Sequence, residues 1–279
     1  MASLLAIFSS ILWGSADFFG GKLSKRYQAI AVTAVSQAFG LLIGITIILI
    51  SASWLQPNLS WDGYFLSGLC AGLLGFIGLV AFYSGLATGR MGVVAPISAL
   101  SVLIPLTIAF INGEKPSQSQ LIGMSVALIG AVLASGPEVK GGFAIKPIVF
   151  AVIAAFGFGG AVAFIARGSE SSAIMTMTTM RLATFVVALF LFARYRTIGG
   201  FKKQDIPILF GIGSADFIAN LFLGIATTKG LVSLAVVLGS LYPIVTALLA
   251  FKILHERLHK IQYIGIGFAI AGVAVISLG

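Results

Sequence analysis

The sequence predicts an all-α polytopic membrane protein, with ten transmembrane helices arranged as two inverted five-helix repeats. Three observations carry that prediction: scarce charge, long charge-free runs and a chain that matches itself. Of 279 residues, 59% are hydrophobic and only 9% are charged, with a mean hydropathy of +1.10. Soluble domains carry about 25% charged residues. This composition excludes an ordinary soluble enzyme and a disordered chain. The 17 Lys and Arg exceed the 8 Asp and Glu, for a net charge of +9. Sixteen of those 17 cations lie in loops and at the ends of apolar spans, where membrane orientation accounts for them. The expected partner is therefore the lipid bilayer, and no nucleic acid.

Seven runs of 19 residues or more lack any Asp, Glu, Lys or Arg: Tyr27–Trp61, Gly63–Gly89, Met91–Gly113, Pro116–Pro137, Pro147–Ala166, Gly230–Phe251 and Ile261–Gly279. A helix needs about 20 apolar residues to cross the hydrocarbon core. Three further apolar stretches are each interrupted by one ionisable residue, Asp17, Arg181 or Asp216. The predicted helices cover 3–21, 29–51, 64–87, 92–111, 120–136, 147–166, 174–194, 206–227, 230–251 and 261–278. Ten such helices consume roughly 200 residues, which leaves no soluble domain. The first lacks a basic leading segment, so it reads as a retained helix and not a cleaved signal. Cys70 is the single cysteine and cannot form an internal disulfide. Glycines recur at small-xxx-small spacing (Gly40/Gly44, Gly68/Gly72, Gly123/Ala127, Gly265/Ala269), where helix backbones in lipid approach closely.

Orientation follows from the loops. Those after helices 1, 3, 5, 7 and 9 hold 13 Lys and Arg, and those after helices 2, 4, 6 and 8 hold three: Lys115, Arg167 and Lys229. The positive-inside rule then places both termini outside.

Glu114-Lys115 recurs as Glu256-Arg257, 142 residues on, and at that offset Gln120 meets Gln262, Gly123 meets Gly265, Ala127 meets Ala269 and Gly130 meets Gly272. Trp13-Gly14 aligns with Phe156-Gly157. The chain thus divides into halves 1–138 and 146–279. Five is odd, so equivalent helices cross the membrane in opposite senses. Inverted repeats characterise secondary transporters, with the site near the midplane between the halves.

At these residues the chain resembles the EamA-type, ten-helix members of the drug/metabolite transporter superfamily. The resemblance spans the whole length. Its strongest part runs from Leu238 through Tyr242-Pro243 to Ala250, then His255-Glu256-Arg257-Leu258, Gln262 and Gly265. Pro96-Ile97-Ser98 up to Gly113-Glu114-Lys115-Pro116 is the weaker first copy, Trp13-Gly14 matches the first-helix opening, and Arg181 matches a helix-7 arginine. Two positions depart from the pattern: Ser101 holds the helix-4 proline slot, with Pro105 displaced, and Gln37 holds the helix-2 arginine slot. The resemblance implies a cavity lined by helices 1, 3, 4, 6, 8 and 9. It also implies a cell-membrane carrier, monomeric or homodimeric, exporting a small metabolite such as an amino acid or amine.

Asp216 lies about 14 Å into helix 8 at 1.5 Å per residue. An acid at that depth costs at least ~2.5 kcal/mol unless it faces a polar cavity. Gly213, Ser214 and Asn220 beside it point to a substrate or proton site, the alternative being a hydrogen bond to a neighbouring helix. Asp17 sits in an identical pentapeptide, Gly14–Phe18 against Gly213–Phe217. It either joins the site or snorkels to the interface near Lys22. Arg181 needs a partner, and Asp216, Asp17 and helix carbonyls are all candidates. Tyr83, Ser84, Ser98, Ser101, Ser240 and Tyr242 form a weaker polar set. Pro96, Pro105 and Pro243 free backbone carbonyls that broken transporter helices use as ligands. Trp13 and Phe156 either wall the cavity or face lipid.

His255-Glu256-Arg257-Leu258-His259 satisfies H-E-x-x-H, the pattern of an intramembrane zinc protease. A catalytic zinc needs a third protein ligand, and no further histidine exists. Glu256 instead holds the place of Glu114, and both glutamates are expected to cap the next helix's N-terminus. With no phosphate-binding G-x-x-x-x-G-K-[ST] segment, no nucleotide or other cofactor is expected. Transport would be secondary, by facilitated diffusion, exchange or proton coupling.

Overall fold

The computed structural model describes residues 1–89, 91–134, 145–197, 199–254 and 259–278. Among these, eight helices are long and apolar enough to cross a membrane. One of them, Ile145–Tyr195, is broken at Ser172, whose backbone is extended (φ −166°, ψ 113°). Counting its two parts separately and adding the 17-residue apolar helix Gln118–Ala134 gives ten successive segments. They are α1 (Ala2–Ser24), α2 (Ala29–Ser51), α3 (Tyr64–Thr88), α4 (91–111), α5 (Gln118–Ala134), α6 (145–171), α7 (173–195), α8 (Ile206–Thr228), α9 (232–254) and α10 (Lys260–Leu278).

Proline decides where two of these helices break. α4 passes through a 3-10 turn at Leu100–Val102, four residues before Pro105. α9 stops at Gly239 and resumes at Tyr242. A proline has no N–H for the carbonyl four residues back, and its ring crowds that carbonyl. Pro105 therefore disturbs Ser101, and Pro243 ends the first half of α9 at Gly239. The sequence predicted continuous helices here. It also predicted a loop after residue 166, where α6 in fact stays helical to 171. At the break the Ser172 hydroxyl accepts from the Met175 N–H (3.4 Å), a cap for the first turn of α7.

Small residues set the packing. Gly123 and Gly130 of α5 meet the backbone of α10 at Gly272 and Gly265, with no room for a β-carbon. Gly72 of α3 abuts the Met180 carbonyl of α7, Gly157 of α6 abuts Gly78 of α3, and Gly213 of α8 abuts the Ser36 carbonyl of α2. α3 lies against α6 and α7 as α8 lies against α1 and α2. Gly14 of α1 sits on the Tyr242 carbonyl and Val245 of α9, and Gly159 of α6 sits on the Ser101 carbonyl and Ile104 of α4. Both broken helices are thus held at their breaks, facing the middle of the bundle.

Candidate functional site

A cavity opens between those breaks. It has about 690 Å³ of space between atoms, its open mouth included. Its walls come from α1, α3, α4, α6, α8 and α9, with Met180 from α7. Most of the surface is apolar, including Leu79, Val102, Ile165 and Leu223. The polar groups are Asp17, Asp216, Asn220, Ser101, Ser240 and Tyr242. No Lys, Arg or His of the described residues lines it.

Asp216 is held by four helices. Its Oδ2 accepts from Arg181 Nη2 of α7 and from Gln37 Nε2 of α2, each at 2.8 Å. Its Oδ1 accepts from Trp13 Nε1 of α1 at 3.1 Å and from Asn220 Nδ2, one turn along α8, at 3.2 Å. The Asn220 amide also reaches the Asp216 carbonyl (2.6 Å). Arg181 has no exposed surface, whereas the Asp216 side chain is 9% exposed. Its guanidinium lies 5.9 Å from the Phe217 ring centroid, and Gly40 of α2 leaves it space. Nε and Nη1 of Arg181 and Oε1 of Gln37 have no hydrogen-bond partner among the described residues. Asp216 is thus a fully engaged carboxylate at the junction of α1, α2, α7 and α8.

Asp17 is different. It lines the same cavity at 7% exposure, away from the interface. It has no hydrogen bond or ion pair among the described residues. Trp13 and Tyr242 pack edge to face beside it (centroids 6.4 Å, planes at 79°), and the buried Tyr242 hydroxyl is also unpartnered. Phe158 of α6 also lines the cavity.

The remaining predicted site residues divide. Ser101, Ser240 and Pro105 line the cavity, although the Ser240 hydroxyl donates to the Val237 carbonyl (2.7 Å). Ser214 is half-buried, donates to the Phe210 carbonyl (2.7 Å) and does not reach the cavity. Tyr83 is buried against Gly20, Ser98 donates to the Ala151 carbonyl (3.4 Å), and neither is in the wall. Ser84 donates to the Val80 carbonyl (2.6 Å), Pro243 acts through the break in α9, and Phe156 is 66% exposed on the bundle's outside.

Glu114 caps a helix, but not the next one. Its Oε1 and Oε2 accept from the N–H groups of Val232 (2.6 Å) and Ser233 (2.9 Å), the first turn of α9 in the other half. The next helix, α5, is capped locally: the Ser117 hydroxyl accepts from the Gln120 N–H, and Gln120 Oε1 accepts from the Ser117 N–H, a capping box. That box already takes the Gln120 N–H, one of the donors of the first turn of α5. His255 and Glu256 lie outside the described residues. His259 donates its backbone N–H to Gln262 Oε1 (2.8 Å). Among the described residues no three His, Cys, Asp or Glu cluster as metal ligands do.

Gln37 and Phe158 are site residues that sequence reasoning did not assign. Gln37 carries a usable signal, being the one amide side chain within the apolar stretch 29–51. Phe158 is one of 22 phenylalanines, and nothing in the pattern sets it apart.

The model of the EamA-like transporter family matches residues 1–136 and 145–278, nearly the whole chain. The chain belongs to the EamA-like transporter family. It is accordingly a multi-pass membrane protein of a family of transporters. One solved crystal structure, described only as that of a protein, shares the EamA-like fold. It superposes with a TM-score of 0.80 at 20% identity, covering 99% of this chain and 96% of its own. At that identity the likeness speaks for the fold alone. No curated protein matches.

Proposed function

We propose that this EamA-like protein is a secondary transporter whose central cavity binds a small amphipathic amine, with Asp17 as its counter-ion. The observation that carries the proposal is the Asp17 carboxylate, which has no partner among the described residues and lies in a wall that is mostly apolar. Asp216 is neutralised by Arg181 and saturated with donors, so the uncompensated charge of the site is the one on Asp17. An ammonium about 4 Å from it gains on the order of 4 kcal/mol at an effective dielectric of 20. Facing the Trp13 or Tyr242 ring adds about 0.5–2 kcal/mol. A substrate carboxylate would find no cation on the wall among the described residues, which favours a simple amine over an amino acid.

The same carboxylate takes a proton when the amine leaves, so one group exchanges amine for proton as the two halves, 1–138 and 146–279, rock about the cavity. With the termini outside and the cation-rich loops in the cytoplasm, an inward proton gradient drives amine export across the cell membrane. Purified protein in proteoliposomes tests this by counterflow of labelled primary amines against neutral and zwitterionic compounds of equal size. Asp17→Asn is expected to abolish amine counterflow and its pH dependence, and Asp17→Glu to retain part of it. Unchanged amine counterflow in a folded Asp17→Asn protein would sink the proposal.

A further inference from the structure

The second large concavity lies on the outside of the bundle, between α2 and α7. These helices touch where Gly44 meets Thr178 and Gly40 meets Arg181. From there to their loop ends they part around an apolar cleft with about 1540 Å³ of space between atoms, its open side included. Ala31, Ala34, Ala38 and Ala188 are among its small lining residues, and Phe39 and Phe192 are among the large ones. The cleft runs from Leu42 to Gln28 on α2 and from Phe185 to Tyr195 on α7. That is roughly 21 and 15 Å at 1.5 Å per residue, against about 15 Å for half the bilayer's hydrocarbon. Its length is therefore about that of one leaflet, and exposed Leu42, Leu189 and Phe192 leave it open on the outside of the bundle.

The open end is basic. The α1–α2 and α7–α8 connections pack on each other there: Tyr27 stacks on Phe201 (4.7 Å between centroids) and donates to Asp205 (2.6 Å). With the adjoining helix ends they carry Lys22, Lys25, Arg26, Arg194, Arg196, Lys202 and Lys203 against the single acid Asp205. Asp205 pairs with Arg26 (3.3 Å), and the other six cations have no carboxylate partner among the described residues. Arg194 and Arg196 are exposed and flank Tyr195, which lines the mouth with Thr197 and Gly199. The Arg194 guanidinium lies 5.5 Å from the Tyr195 ring centroid.

We propose that this cleft is a binding site for an anionic phospholipid, with one acyl chain between α2 and α7 and the phosphate at Arg194 and Arg196. An apolar slot of leaflet depth, with two exposed arginines on either side of Tyr195 at its mouth, matches both parts of that molecule. Basic pockets between membrane helices bind anionic headgroups for this reason, and arginine's planar fork suits phosphate oxygens. A zwitterionic lipid offers the same chain but carries its own cation, so it gains less at this mouth. The site stands apart from the central cavity, and its occupant lies between α2 and α7, the helices that carry Gln37 and Arg181 of the Asp216 network.

Native mass spectrometry in mild detergent, with phosphatidylglycerol and phosphatidylcholine added at equal concentration, tests the site. The wild-type protein is expected to retain phosphatidylglycerol preferentially. Arg194→Gln/Arg196→Gln is expected to weaken that retention about twenty-five-fold, from two contacts each worth about fivefold. Ala34→Trp, which fills the slot and leaves the arginines, is expected to weaken it as well. Lys252→Gln/Lys260→Gln removes two exposed cations away from the cleft and is expected to leave retention unchanged. Equal retention of the two lipids overturns the proposal. So does an unaffected Arg194→Gln/Arg196→Gln or Ala34→Trp variant, or equal loss in the Lys252/Lys260 control. A lipid-free dimer as the main species would give the cleft to a second copy instead and overturn it too. Melting temperatures of all variants separate lost binding from lost folding.

Discussion

Arg181→Met separates the buried ion pair from the rest of the site and predicts a specific energetic signature. Methionine keeps an unbranched apolar chain but removes the charge. Asp216 is then left with three neutral donors, Gln37, Trp13 and Asn220, and no counter-ion. Removing one partner of a buried pair costs about 3–5 kcal/mol because the other charge stays behind. At ~2–4 °C per kcal/mol for a chain of this size, the melting temperature should fall by about 6–20 °C. Asp216→Asn strands the guanidinium instead and should cost at least as much, since Arg181 Nε and Nη1 already lack partners. The double variant removes both charges, and the asparagine oxygen still accepts from the neighbouring donors. Its loss should therefore fall short of the sum of the two single losses by about 2 kcal/mol or more, within the range for residues in direct contact. Cys70, the single cysteine and half-buried in α3, permits the assay: thermal unfolding in detergent followed by a thiol-reactive fluorophore. Strictly additive losses would refute the pairing.

Three further outcomes are expected. Glu114→Gln should cost about 1 kcal/mol, as lost caps do, and should speed hydrogen exchange at Val232 and Ser233, whereas Ser117→Ala should affect only the start of α5. Gly130→Leu drives a side chain into the backbone of Gly265 and Ala269 and should cost more than about 3 kcal/mol. Its readout is the yield of monodisperse protein, with Gly211→Leu, which meets open space, as the neutral control. The Asp205 carboxyl is held below the usual carboxylate range, first by the Tyr27 hydroxyl and then by Arg26. Its folded pKa is depressed, so its contribution is complete above an ordinary carboxylate pKa of about 3.9 and disappears as pH falls through the lower folded value. Melting temperatures measured down the acid range should show this loss in the wild type and not in Asp205→Asn.

Much of the scaffold was legible because lipid leaves few choices. A helix must satisfy its own backbone hydrogen bonds in the bilayer, so apolar runs such as Tyr27–Trp61 and Gly63–Gly89 place α2 and α3 directly. Small-residue spacing likewise announced the α5–α10 contact without saying which helix would be the partner. The breaks were harder to see. Pro105 and Pro243 were evident as helix disturbers, but whether a proline kinks a helix or splits it depends on what holds the two pieces. Glu114 shows the same limit: its glutamate chemistry suits any helix N-terminus, and only packing chose the first turn of α9 over α5.

By itself, the sequence determined that the chain lives in a membrane, where its helices run and which few ionisable residues sit inside them. Those properties follow from the cost of charge in hydrocarbon, a cost paid residue by residue. Asp17 and Asp216 are indistinguishable on that basis, each set in the same five residues Gly-Ser-Ala-Asp-Phe. Only the tertiary structure separated them. Donors from α1, α2 and α7 join Asn220 on Asp216, while Asp17 faces the cavity alone, because a buried charge is defined by partners that are distant in sequence and adjacent only after folding.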